Sequence, residues 1–291
     1  MSLRVALLSV AARVAAVSFS AHAIDLGDDE DYGVSFSGRR TPAVSCGDPP
    51  STSLSVWLDG RSIDGADNAT LANNDPITTW TDLGSIGDDP TQASAFSKPT
   101  FIASCVNGEA CARFDGGDFL RAVTAANFIF MHDGTGATIY TVVKTAASAT
   151  SALAATSTGS AGSRGVLHRY STLLRAAYFM ADGTTLQVSL TDAVGLLTSG
   201  AFDTMTSTLA NVATPGAIFV NGAAAASGGT ASFSALAPAA ALTIGASATG
   251  GNMLAGDMVQ MLIYAAAHDA TERGVVEDWV DCVYGEMPVT P

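Results

Sequence analysis

The sequence predicts an all-β protein, a two-sheet antiparallel jelly-roll sandwich closed by one short C-terminal helix. Three observations carry that expectation. Short runs rich in β-branched and aromatic residues, at 137–144, 165–170, 176–180, 186–190, 205–212 and 217–220, alternate with turn-forming segments. The run 257–264 is apolar on both faces, with Met258, Gln260, Leu262 and Tyr264 on one and Val259, Met261 and Ile263 on the other. That is the pattern of a mid-sandwich strand covered on both sides. Beyond it, Asp269 and Glu272 stand in capping-box spacing, and Val275, Val276, Trp279, Val280 and Val283 recur at helical spacing. Gly285 and Pro288 then stop the helix.

Taken in order, residues 1–23 read as a signal peptide, with a small-x-small site at Ala21-His22-Ala23, or as an N-terminal arm. Residues 24–52, with Asp28-Asp29-Glu30-Asp31, read as an acidic linker or arm. The sandwich is expected over 53–285, followed by a tail, 286–291. It opens with the alternating strand 54–59, a polar loop, and a second strand at 77–82. Asn107-Gly108 and Asn221-Gly222 are hairpin turns, since both central positions of a type I′ turn need positive φ. The Ala/Gly/Ser/Thr-rich tracts 146–163, 223–232 and 246–252 read as loops. Nothing in the chain reaches the ~18 consecutive apolar residues of a membrane span.

Composition narrows the partners. Acidic residues number 27 against 13 basic, for a net charge of −14, and there are only two lysines. Such a balance argues against a nucleic-acid backbone or an anionic membrane surface. Of the four cysteines, Cys105 and Cys111 flank the Asn107-Gly108 turn, which suits a local bridge. Cys46 would then join Cys282 and tie the N-terminal arm to the closing helix. Four reduced, buried thiols are the alternative.

An ordered set of short motifs supports a family resemblance. Trp57-Leu58-Asp59 is followed by Trp80-Thr81-Asp82, then Thr91-Gln92, Lys98-Pro99-Thr100-Phe101 and Asn107-Gly108. Arg113-Phe114-Asp115-Gly116-Gly117-Asp118-Phe119-Leu120 comes next, then Val220-Asn221-Gly222. The strand 256–264 and the helix ending at Tyr284-Gly285 complete the set. The set resembles the concanavalin A-like, laminin-G-like jelly rolls of bacterial and phage proteins over about 54–285. Gln260 stands where those domains often carry Glu. The resemblance implies a fold more than a function, because function lives in sites grafted on folds.

Candidate chemistry is sparse. Sandwich glycosidases that use Glu-x-Asp-x-x-Glu on one strand need paired carboxylates. The five glutamates here, Glu30, Glu109, Glu272, Glu277 and Glu286, form no such pattern. There is no Gly-x-Ser-x-Gly elbow, and the cysteine spacing does not suit zinc. The acidic loop region offers oxygen ligands for calcium from Asp59, Asp64, Asp67, Asn68, Asp75 and Asp82, although such residues also serve ordinary tight loops. His168, Tyr170 and Tyr178 are candidates to line a concave carbohydrate-binding face, with a solvent-facing strand position as the plainer reading of His168. The expectation is therefore a non-catalytic module, not an enzyme, at an extracellular, cell or virion surface. As a structural or decorating subunit, it would partner copies of itself or other subunits of an assembly. The alternative is a carbohydrate-binding adhesion domain whose partners are glycans.

Overall fold

In the computed structural model, which describes residues 46–145 and 149–285, two antiparallel sheets face each other across one core. The strands are β1 (Leu54–Asp59), β2 (Thr100–Val106), β3 (Glu109–Asp115), β4 (Leu120–Arg121), β5 (Ala137–Thr145), β6 (Ser151–Ala155) and β7 (Gly165–Ser171). They continue with β8 (Arg175–Ala181), β9 (Leu186–Thr191), β10 (Phe202–Leu209), β11 (Gly216–Val220), β12 (Ala223–Gly228), β13 (Thr243–Ile244) and β14 (Ala255–Tyr264), followed by helix α1 (Ala270–Tyr284). The larger sheet runs β12-β11-β10-β5-β14-β3-β2, with β1 also pairing β14; the smaller runs β4-β13-β6-β7-β8-β9. The fold is an all-β sandwich with one C-terminal helix. Residues 1–45, which include the expected signal peptide or N-terminal arm and most of the expected acidic linker or arm, and the expected tail 286–291 lie outside the described residues.

β14 explains the layering. Its pairing with β5 shifts register between Met258 and Gln260, inserting one residue into the strand. Met258, Met261 and Ile263 thereby all face the inter-sheet core. Val259, Leu262 and Tyr264 face outward, where Val276, Trp279, Val280 and Tyr284 of α1 cover them. Strict alternation therefore misassigned the faces on either side of the bulge, although both faces are covered as expected. The helix begins on the expected capping box: Asp269 accepts from the Thr271 and Glu272 amides, and Glu272 accepts from the Asp269 amide. Val275 departs from the expected apolar stripe and is 52% exposed.

Other expectations are corrected. Residues 77–82 form no strand, only isolated bridges such as Thr79 to Thr91, because Trp80 turns into the core and donates its indole N–H to the Asp59 carbonyl. The strand expected at 205–212 runs from Phe202 to Leu209. Four segments read as loop or left unread are strands: β6, β12 and the two-residue β4 and β13. Asn107-Gly108 and Asn221-Gly222 adopt positive φ and turn β2 into β3 and β11 into β12.

Candidate functional site

Cys46 is bonded to Cys282, with Cα atoms 5.8 Å apart, and Cys105 to Cys111, at 5.9 Å. The first bridge fastens the segment entering β1 to the last turn of α1; the second crosses the β2–β3 hairpin. Both suit an oxidising, extracellular setting. No helix among the described residues is long and apolar enough to cross a membrane.

The residues proposed to line a carbohydrate face are instead interior. His168 and Tyr170 are fully buried and Tyr178 is 1% exposed. They point from β7 and β8 into the inter-sheet core, so no glycan reaches them from solvent. Ser207 lies 2.8 Å from His168 Nδ1 and Thr141 lies 3.0 Å from Nε2. Thr141 donates in turn to the Met205 carbonyl, which leaves it to accept from Nε2–H. Burial pushes the imidazole pKa down to about 3, so it is neutral.

The proposed calcium ligands do not converge either. Asp64 accepts from the amides of Ala66, Asn68 and Thr70 and from the Thr70 hydroxyl. Burial works to raise its pKa, but these bonds outweigh it and hold the carboxyl below its usual range. Asp75 accepts from the Ala72 amide, and Asn68 bridges the Ile63 amide and the Gly60 carbonyl. Asp82 accepts from the Trp57 and Gly84 amides. These are loop-closing roles that replace ligation. Among the described residues, one group of titratable side chains lies close enough for a metal: Cys105, Cys111 and Asp257. Its sulfurs are joined to each other, and Arg113 and Lys144 both pair with its carboxylate.

Two of the six, Asp59 and Asp67, instead line a cleft of about 520 Å³ with Asp48, Trp57, Arg61, Ser62 and Glu109, beside the Cys46–Cys282 bridge. Its construction follows from the end of β1. Asp59 caps the next turn by accepting from the Arg61 amide, and its two oxygens take the Arg61 guanidinium at 2.6 to 3.1 Å. A Cβ on Gly60 would strike the Ala110 and Val259 carbonyls, so only glycine lets this turn pass so close to β3 and β14. Burial opposes the charge on Arg61, but Asp59 outweighs it and holds the guanidinium pKa above its usual value. Behind Asp59, the Tyr284 hydroxyl donates to Gln260 Oε1 at 2.5 Å. Trp57 forms one wall; its indole N–H is buried and has no acceptor among the described residues. Glu109, beside the tip of the β2–β3 hairpin, makes no side-chain hydrogen bond among the described residues, and its charge acts on Arg61. The Asn107-Gly108 hairpin signal is the mark in the sequence that places Glu109 beside the hairpin tip.

No family model and no curated protein matches the chain. Solved structures do resemble it. A Trypanosoma rangeli sialidase in complex with 2,3-difluorosialic acid is 16% identical over 84% of this chain, with a TM-score of 0.47. The Ruminococcus gnavus IT-sialidase CBM40 bound to α2,3-sialyllactose is 14% identical over 50% of this chain and 82% of its own, with a TM-score of 0.42. A GH54 arabinofuranosidase complexed with arabinofuranosyl-α-1,2-xylobiose is 14% identical over 83% of this chain and 61% of its own, with a TM-score of 0.49. The chain spans about a third of the sialidase's length, 35% of it. The expected non-catalytic structural subunit, and with it the expectation that the chain is not an enzyme, find no support among these structures. Two of the three are sialidase and arabinofuranosidase enzymes, and none of the three is a virion component. What they share with this chain is the β-sandwich; at these TM-scores they carry no activity over to it.

Proposed function

We propose that residues 53–285 form a concanavalin A-like sandwich that works outside the cell and binds a saccharide in the cleft beside Trp57. The observation carrying this reading is the juxtaposition of an aromatic wall with an ion-paired Asp59–Arg61 couple and uncommitted Asp67 and Glu109 side chains. A sugar ring needs an apolar surface for its C–H face and convergent polar groups for its hydroxyls, and this cleft offers both. The glycan complexes among the similar solved structures, sialyllactose and an arabinofuranosyl xylobiose, agree with a saccharide as the class of ligand.

A hydrolytic reading rests on the same cleft, because Asp59 and Glu109 both line it. Paired carboxylates cleave glycosidic bonds when one gives a proton to the leaving oxygen and the other acts as base or nucleophile. Titrating a panel of neutral oligosaccharides by calorimetry while assaying reducing ends tests both readings. A bound member should weaken about tenfold in Trp57→Ala and in Glu109→Gln. Release of reducing ends that Glu109→Gln abolishes would establish hydrolysis. Binding unaffected by either substitution would end the assignment to this cleft.

A further inference from the structure

The outer face of the smaller sheet, far from the Trp57 cleft in the topology, carries unusual arginines. Elsewhere among the described residues each arginine donates to a partner. Arg61 pairs with Asp59 and Arg113 with Asp257, while Arg121 donates to Thr243 and the Ala248 carbonyl. Arg164 donates to the Asp182 and Ala237 carbonyls, and Arg273 to the His268 carbonyl. Arg169 on β7 and Arg175 on β8 make no hydrogen bond or ion pair, and the Nε of each is buried without an acceptor. Both stand on one face of a chain of net charge −14.

Sheet register brings them together. Arg169 stands opposite Ala177 and Arg175 opposite Ser171, so the two lie diagonally on the same face. The Arg169 guanidinium stacks 4.5 Å from the centroid of Phe179. Stacking fixes its plane, and with Nε buried the terminal amino groups are the donors left for a carboxylate. Burial lowers the Arg169 pKa, the expected cost of holding this charge without a counter-ion. Ala152 and Ala177, cross-strand neighbours of Arg169, make a low floor. The exposed hydroxyl residues Ser189 and Thr191 on β9 pair with Phe179 and Ala177 and form a rim. Asp192, next along the chain, directs its oxygens to the amides of Ala176, Val194 and Gly195 and forms no ion pair with either arginine.

We propose that this face binds the carboxylate of an acidic saccharide, with Arg169 and Arg175 gripping the carboxylate and the Ser189/Thr191 rim meeting the ring hydroxyls. The site is separate from the Trp57 cleft and stands whether or not that cleft binds sugar. The probes are a galacturonic-acid oligosaccharide, a sulfated oligosaccharide of equal charge, the neutral galactose counterpart, and poly-glutamate, each titrated into the full chain at low salt. The galacturonate probe should bind best and lose at least about tenfold in affinity in the Arg169→Ala/Arg175→Ala double variant. An Arg169→Lys/Arg175→Lys variant keeps the charge but not the fork, guards against misfolding, and should also weaken binding. Trp57→Ala, on the other sheet, should leave this binding unchanged. The site is overturned by galacturonate affinity that both double variants preserve, by absence of binding, or by equal or tighter binding of the sulfated probe or poly-glutamate.

Discussion

The two outer faces of the sandwich have been treated in opposite ways. On the larger sheet, α1 lies over Val259, Leu262 and Tyr264, and two disulfides fasten the elements around it. Asp59 pairs there with Arg61 and Asp257 with Arg113 and Lys144, while Glu277 of α1 keeps one buried oxygen without a partner among the described residues. On the smaller sheet Leu167 and the alanine floor are buried as well, and Arg169 and Arg175 have no acidic partner among the described residues. Because unpaired half-buried charge costs stability and paired charge costs little, the contrast separates a face built for stability from one left open for a ligand.

The sharpest test of that contrast is covalent. The Cys46–Cys282 bridge spans 236 residues of sequence and the Cys105–Cys111 bridge only 6. Restricting the unfolded chain scales with the logarithm of the loop, giving upper values of about 5 and about 2 kcal/mol respectively. Urea denaturation of Cys46→Ser/Cys282→Ser and of Cys105→Ser/Cys111→Ser should show the first pair losing more. The reverse order would mean that the long bridge does not hold the helical cover in place.

Next in size is a matched pair of aromatic truncations. Trp279 is 6% exposed, packs in the outer cluster, and donates its N–H to the Gly47 carbonyl. Trp279→Ala should cost about 3–5 kcal/mol in chemical denaturation, as for other buried large-to-small changes. Phe179→Ala, half-buried on the other face, should cost about 1 kcal/mol. Equal losses would erase the distinction between a sealed face and an open one.

How much of this was legible in the sequence depended on residue size and on what lay across the core. The Asn-Gly hairpins, the capped helix, the Asp257–Tyr264 strand and the Cys105–Cys111 pairing left strong local marks, and Cys46–Cys282 followed as the remaining pair. β6 left none: Ser151–Ala155 is small throughout and buried at every position, so it shows neither alternation nor bulk and reads as a flexible tract. β12, Ala223–Gly228, was hidden in the same way. His168, Tyr170 and Tyr178 were misplaced because a polar residue on a strand looks outward-facing. The hydroxyls of Thr141 and Ser207 that satisfy His168 come from strands 27 and 39 residues further off in sequence. The Asp loop misled differently, since residues that ligate calcium also close turns. The Arg169/Arg175 pair could have been found from register alone, once β7 and β8 were read as a hairpin.

His168 lies in the layer between the two faces, and its titration measures that layer independently of either cover. Its folded-state pKa, about 3, lies below the ordinary value of 6.5, and burial is the sole cause. A depressed histidine pKa means that the unfolded chain binds the proton more readily. The stability His168 contributes is therefore complete above about pH 6.5 and falls as the pH drops from there toward 3, by at most about 1.4 kcal/mol per pH unit. His168→Gln keeps a donor and an acceptor for Ser207 and Thr141 but cannot titrate in this range. Denaturant midpoints measured from pH 7 to pH 4.5 should therefore fall more steeply in the wild-type chain than in the variant. The difference in slope should persist in Cys46→Ser/Cys282→Ser and in Phe179→Ala, because neither substitution opens the inter-sheet core. Equal slopes for the wild type and His168→Gln would show that solvent reaches the imidazole, and that the space between the sheets is not the closed layer separating these two faces.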